Sequence, residues 1–153
     1  MRRRSEQAGF DKNEPMEWKN GPYTLSDDRT RLDMDHVYES LQKAYWSSGR
    51  PRHIIEESFK NSLCFGLYCG DRQVGFARIV GDRVVFSWFC DVWVDLDYRG
   101  RGLGQWMMRC VMEHPDVALT RQVLITGDAH TFYEKLGFER KTLMVKAAKR
   151  DYR

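Results

Sequence analysis

The stretch that decides how this chain of 153 residues is read is Asp97–Trp106, DYRGRGLGQW. Before it lies an apolar run, VVFSWFCDVWV, from Val84 to Val94; after it, apolar residues recur at Leu103, Trp106, Met107, Cys110 and Val111. That i, i+3, i+4, i+7, i+8 series is one face of a helix. A strand therefore hands over to a helix here, with Gly100, Gly102 and Gly104 at the helix N-terminus. The first backbone N–H groups of a helix lack intrahelical partners and the dipole adds partial positive charge, so phosphate oxygens are favoured ligands there. Glycine allows close backbone approach, and Arg99 and Arg101 supply charge-assisted hydrogen bonds to the same anion. The plainer reading is a flexible connection with two solvated arginines.

Spacing narrows the choice among phosphate loops. G-x-x-x-x-G-K-[ST] is absent, and the glycines run G-x-G-x-G, which misses the dinucleotide fingerprint G-x-G-x-x-G by one residue. What stands is R-x-x-G-x-G, carried by Arg99, Gly102 and Gly104.

Working outward, LCFGLYC, QVGFARIV and VVFSWFCDVWV are separated by two GDR triplets and predict a meander of three antiparallel strands with tight turns. The third run is apolar from Val84 to Val94 and is expected to be one central strand covered on both faces. Upstream, a first strand is expected over Tyr23–Ser26, a helix over Met34–Ala44 and a second over HIIEESFKN. Downstream, the pattern predicts a helix from Leu103 to Glu113 ended by Pro115, a strand over Gln122–Thr126, a helix over Ala129–Leu136 ended by Gly137, and a strand over Phe138–Val145. Asp128 and Gly137 read as the N-cap and C′ residues of that last helix. Helices and strands alternate only in the second half, which implies a mixed α/β sheet. Residues 1–20 lack periodicity and read as a flexible arm ahead of one domain over 21–153.

The formal net charge of +3 comes largely from the ends, Arg2, Arg3, Arg4, Lys146, Lys149, Arg150 and Arg153. No basic cluster falls on one folded element, so a specific nucleic-acid partner is not expected. No apolar run approaches the length of a membrane-spanning helix, and no apolar segment follows the initial arginines, so neither a membrane partner nor a secretory signal is expected. Cys64, Cys69, Cys90 and Cys110 show no C-x-x-C spacing and lie in apolar patterns, which suits reduced thiols in a cytoplasmic protein. His36, His53 and His114 are scattered, and no metal site is expected. Oligomeric state is not legible, and a homodimer is left open.

R-x-x-G-x-G after a strand ending in V-x-V resembles the acetyl-CoA pyrophosphate loop of the GNAT superfamily of N-acetyltransferases. A second segment, DAHTFYEKLGFE from Asp128 to Glu139, is similar to that superfamily's A-x-x-x-Y-x-K-x-G-F, with Ala129, Tyr133, Lys135, Gly137 and Phe138 in place. The two occur in the family's order, and the resemblance spans about residues 22–145. It implies a mostly antiparallel sheet with one parallel pair, flanked by about four helices, with acetyl-CoA as co-substrate. It implies that Arg99, Gly100, Arg101, Gly102, Leu103, Gly104 and Gln105 receive the pyrophosphate. It also implies that the strand of Val92, Trp93 and Val94 splays from its neighbour, freeing backbone N–H groups for the thioester oxygen and the pantetheine amide.

The implied reaction is acetyl transfer to a primary amine of a small molecule or peptide, by direct attack in a ternary complex. Asp91 is the one carboxylate of the central run, and burying an ion is costly unless it is paired or used in chemistry. The resemblance implies a base acting on the ammonium through water; the competing reading is a structural ion pair with an arginine such as Arg78. Tyr133 lies on the helical stripe Ala129, Phe132, Tyr133, Leu136 and reads either as core or, by the resemblance, as the acid that protonates the departing thiolate. A phenol of pKa about 10 opposite a thiol of about 8.5 is an adequate donor when prepositioned. His130 faces either cofactor or solvent and is a candidate proton relay. A covalent route through Cys90 or Cys110 is the less favoured alternative. The resemblance places the first helix pair on one wall of the acceptor site, where Tyr45, Trp46, Arg50 and Arg52 suit a carboxylated or aromatic amine; the alternative for Trp46 is a core residue. A non-catalytic acyl-CoA-binding module of the same fold is the alternative function.

Overall fold

The computed structural model describes residues 14–150. The strands are β1 (Glu17–Asn20), β2 (Tyr23–Ser26), β3 (Leu63–Cys69), β4 (Arg72–Gly81), β5 (Phe86–Phe89), β6 (Trp93–Val94) and β7 (Arg121–Leu124). The helices are α1 (Met34–Lys43), α2 (Arg52–Lys60), α3 (Leu103–Glu113) and α4 (His130–Glu134). The sheet runs β1-β2-β3-β4-β5-β7, with β6 also on β4. Every pairing is antiparallel except β5 with β7, which is parallel. This is the mixed α/β, mostly antiparallel architecture that the sequence implies.

Alternation along β3 and β4 feeds two cores. On one face Cys64, Phe76 and Trp93 pack with Val37 and Leu41 of α1 and Ile55 and Phe59 of α2. On the other, Phe65, Leu67, Val74, Ala77, Ile79 and Phe89 pack under Leu103, Met107, Met108, Cys110 and Val111 of α3. Met108 is fully buried while Trp106 is only half-buried, so the stripe of α3 is wider than the heptad-like series indicates. Asp33 caps α1, its carboxylate accepting from the His36 N–H at 3.2 Å.

The structure corrects several expectations. Residues 1–13 of the arm lie outside the described residues, but Glu17–Asn20 forms β1, held by its antiparallel ladder to β2. The run Val84–Val94 is two strands, because residues 90–92 leave the ladder. The Cys90 N–H still donates to the Arg78 carbonyl at 2.8 Å and the Asp95 N–H to the Val74 carbonyl at 2.8 Å, so the chain stays on β4 at both sides of the break. Nor is β5 covered on both faces: Phe86 and Trp88 are exposed, while Ser87 and Phe89 are buried. The first GDR makes a two-residue turn, but in the second the Asp82 carboxylate accepts from the N–H groups of Val84, Val85 and Phe86 and opens a longer loop. The strand expected over Phe138–Val145 does not form. Phe138 packs edge-on to Phe89 and Tyr133, while Leu143, Met144 and Val145 are exposed without a ladder partner among the described residues. β-propensity expresses itself only against a neighbouring strand.

Gly75 sets the approach of β6 to β4. A Cβ there would lie 2.6 Å from the Trp93 carbonyl oxygen. Any side chain would push apart the Gly75–Val94 and Phe76–Trp93 pairs.

Candidate active site

Beyond the break, β6 pairs only with β4, whereas β5 carries β7 on its other side. Among the described residues the edge of β6 that faces away from β4 carries no ladder, and the β5–β7 ladder stops at Phe89–Leu124, where residues 90–92 interrupt the strand. Val92 and Val94 lean on the α3 core, while the Trp93 side chain is buried on the α1–α2 side.

The glycine-rich loop ends where expected. Gly102 is the N-cap of α3 in the left-handed region, φ +77°, and Gly100 has the same φ. Such conformations are costly for residues with a Cβ, and a Cβ at either glycine would meet open space, so the demand is conformational. The first intrahelical bond runs from the Trp106 N–H to the Gly102 carbonyl at 3.0 Å. The N–H groups of Leu103, Gly104 and Gln105 therefore precede the ladder, no carboxylate sits in the first turn, and the end is shaped for an anion. Gly104 has another role: its Cα faces the Phe132 ring, 3.4 Å from where a Cβ would stand, so α4 packs directly on the mouth of α3.

The two arginines differ. Arg99 folds back over the Trp93 ring at 4.7 Å and its Nε donates to the Val94 carbonyl at 2.7 Å, tying loop to strand while the exposed guanidinium retains further donors. Arg101 instead donates to the Asp97 carbonyl at 3.0 Å and the Tyr23 hydroxyl at 3.2 Å, and stacks on Tyr98.

Asp91 is 2% exposed and surrounded by donors. Arg78 Nε lies 2.8 Å from Oδ2, Arg50 Nη1 3.1 Å from Oδ2 and 3.2 Å from Oδ1, and Trp46 Nε1 3.1 Å from Oδ1. Of the two readings the sequence left open, the ion pair with Arg78 is present, joined by Arg50 and Trp46 from the α1–α2 connection. Arg52 belongs elsewhere, pairing with Asp35 and Glu56 on the surface.

Tyr133 is partly buried against Phe132 and Phe138. Burial, reinforced by the nearby Asp128 carboxylate and Tyr45, pushes its phenol up to about 12. Among the described residues its hydroxyl has no hydrogen-bond partner, as suits a donor held for a ligand. Burial pushes the Cys110 thiol up to about 11 and the Cys90 thiol up as well, which keeps both protonated and disfavours the covalent route. No group of three potential metal ligands occurs among the described residues, and none of their helices is long and apolar enough to cross a membrane.

Two features of the site escaped the sequence. His36 on α1 places Nε2 2.8 Å from Asp95 Oδ1, Gln73 Nε2 lies 2.9 Å from its Nδ1, and Trp93 Nε1 donates to the same Asp95 oxygen at 2.9 Å. This network clamps the end of β6 to α1. Second, the α1–α2 connection reaches the β7–α4 loop: the Gly127 N–H donates to the Tyr45 hydroxyl at 3.3 Å. Neither contact has a local signal, since the partners are 59 and 82 residues apart.

A domain family described as acetyltransferase (GNAT) domain matches residues 60–140. The chain belongs to the GNAT acetyltransferases. A Gibberella zeae protein named as an acetyltransferase is 28% identical over 82% of this chain and 84% of its own. A Prochlorococcus marinus protein named as an N-acetyltransferase is 32% identical over 78% of this chain and 70% of its own. Among solved structures, a GNAT-family acetyltransferase of Xanthomonas campestris pv. campestris superposes with TM-score 0.78 at 33% identity, covering 82% of this chain and 93% of that one. A GNAT acetyltransferase of Elizabethkingia anophelis, solved with acetyl-CoA bound, shares the fold with TM-score 0.63 at 14% identity over 80% of each chain.

Proposed function

We propose that this GNAT acetyltransferase is a cytoplasmic N-acetyltransferase moving the acetyl group of acetyl-CoA to a primary amine of a small molecule or peptide, by direct attack in a ternary complex. The observation that carries the reading is the unpaired edge of β6 beside the open N-terminus of α3: one offers backbone groups for an acyl-pantetheine arm, the other an anion site for its pyrophosphate. The N–H groups of Leu103, Gly104 and Gln105 and the guanidinium of Arg99 hold the phosphates, with Gly100 and Gly102 giving the loop its shape. Arg101 contributes through the field of its charge, since Tyr23 and Asp97 hold it to one side. Val92, Trp93 and Val94 present backbone to the thioester and pantetheine.

Tyr133 is the acid for the departing thiolate. A phenol raised to about 12 stays protonated at neutral pH, as one near 10 would, and is a weaker acid for the rise, so its contribution is a prepositioned hydrogen bond to the departing sulfur along which the proton passes. Asp91, already accepting from three side chains, is a positioning residue: it fixes Trp46 and Arg50 over the cleft. The test is a thiol-release assay with acetyl-CoA across a panel of primary amines, repeated with Tyr133→Phe. The enzyme reading expects amine-dependent release that falls roughly a hundredfold in the variant, the scale of a lost general acid, with acetyl-CoA affinity retained. Acetyl-CoA binding without release for any amine would leave a non-catalytic acyl-CoA-binding module; full activity in Tyr133→Phe would return the tyrosine to the core.

A further inference from the structure

Asp128 precedes α4 but does not cap it. The N-cap position is Ala129, no side chain caps the helix, and the Ala129 N–H is taken by Thr126 Oγ1 at 3.0 Å. Among the described residues the exposed carboxylate has one hydrogen-bond partner, the Tyr45 hydroxyl at 3.4 Å, longer than the roughly 2.5–3.0 Å of a good O–H···O bond. It is therefore available to another donor. Beside it stands the Tyr45 ring, and packed on Tyr45 the Trp46 ring, two aromatics that a folded chain would ordinarily hide. Tyr45 is 65% exposed and Trp46 43% exposed, yet both are held in place: Tyr45 by the Gly127 N–H, Trp46 by Asp91, and each by the other edge-to-face at 5.2 Å. Trp46 reaches towards Trp93 of β6, 6.5 Å between centroids, so the pair runs from Asp128 to the strand before the glycine loop. Asp128 also lies close enough to act on Tyr133.

We propose that Asp128, with the exposed Tyr45 beside it and the half-exposed Trp46 packed on Tyr45, is the anchor for the acceptor's ammonium group, and that the site selects primary amines carrying no carboxylate beside the nitrogen. The inference rests on the N-acetyltransferase reading above. A carboxylate and aromatic faces are the two groups that attract an alkylammonium, one by a charge-assisted hydrogen bond and the other through the ring quadrupole. The cations that would receive a substrate carboxylate are committed: Arg50 and Arg78 are only 17% and 13% exposed, and both are bound to Asp91. An α-amino acid would bring its carboxylate towards Asp128, and neither Arg50 nor Arg78 is free to meet it. This narrows the expectation of a carboxylated or aromatic amine to acceptors without the acid.

The test uses matched probes, 2-phenylethylamine against phenylalanine and isoamylamine against leucine, with the full chain and Asp128→Asn. Binding is read by ligand-observed NMR and transfer by thiol release. In the parent each amine should bind and react at least about tenfold better than its amino acid, and Asp128→Asn should weaken the amines about ten- to a hundredfold, the worth of a hydrogen bond to a charged group. Acetyl-CoA affinity should not change. Asp128-dependent amine binding without thiol release upholds the anchor and overturns the transfer reading. Thiol release with equal use of amine and amino acid, or unaltered by Asp128→Asn, overturns the anchor and leaves the transferase standing. Absence of both binding and release overturns both. Tyr45→Phe, which keeps the ring and loses the tether, should fall between parent and Asp128→Asn in amine affinity; a loss larger than that of Asp128→Asn would place the ammonium on Tyr45 and overturn the assignment.

Discussion

Replacing Asp91 with asparagine separates its two readings by stability as much as by rate. Asparagine keeps the volume and one acceptor for Trp46 Nε1, but it removes the charge and turns an amide donor towards guanidinium groups. Arg78 loses its 2.8 Å partner and Arg50 its 3.1 Å contact, both at Oδ2, and the 3.2 Å contact of Arg50 to Oδ1 loses its charge, leaving two mostly buried cations around a neutral group. Removing one member of a buried ion pair costs about 3–5 kcal/mol. Both arginine side chains keep some access to solvent and can relax towards it, so the lower end, about 3 kcal/mol, applies. For a chain of this size that is a fall in Tm of roughly 6–12 °C. Thermal melting followed by near-ultraviolet circular dichroism reads the fall and the expected loosening of Trp46 together. The positioning account also requires the pH–rate profile to keep its shape, although its height drops as Trp46 loosens. A variant melting within about 2 °C of the parent with a flattened pH–rate profile would refute it and restore the general base.

The glycines give a contrasting pair. Gly102→Ala should weaken acetyl-CoA binding by calorimetry while lowering Tm by only a few degrees, since the left-handed φ costs about 1–2 kcal/mol and the added methyl meets open space; unaltered affinity would remove the loop from the site. Gly75→Ala should act on the fold first, because its methyl would lie 2.6 Å from the Trp93 carbonyl oxygen and displace β6; a melt equal to the parent's would show that β6 approaches β4 less closely than described. Alkaline stability is predicted by Tyr68 and Tyr133, both pushed by burial from 10.0 to about 12. Each keeps its proton while the unfolded chain loses its own, so the stabilisation is full below about pH 10 and is lost as pH rises to about 12. Ultraviolet tyrosinate titration should show two late phenols in the folded protein, and simultaneous ionisation of all tyrosines near 10 would contradict their burial.

What the sequence made legible was local. The bounds of α3 follow from Gly102 and Pro115, and the loop motif is spelled within ten residues even though Arg99 and Arg101 find partners beyond them. β1 was hidden because Glu17-Trp18-Lys19-Asn20 is short and mostly polar; its stability lies in the ladder to β2, not in its own composition. The break at residues 90–92 was hidden for the opposite reason, since the apolar run continues through it and only Asp91 hints that the chain turns aside. The aspartate's oddity was visible, and one partner, Arg78, was within reach of a guess; Arg50 and Trp46 arrive from the α1–α2 connection, 41 and 45 residues away, and depend on the folded topology. The strand expected after Phe138 shows the same limit from the other side: Leu143, Met144 and Val145 have the composition of a strand, but composition cannot supply the neighbour. Asp128 was read as a cap from its position, and only the geometry of Thr126 and Ala129 releases it.

The measurement that bears most directly on the account is the mass of the product formed from acetyl-CoA labelled in its acetyl group and 2-phenylethylamine. The account predicts that the amine gains one labelled acetyl group on nitrogen, in step with free thiol, with the protein itself unlabelled. Label found on the protein or only in free acetate, with the amine unchanged, would contradict it.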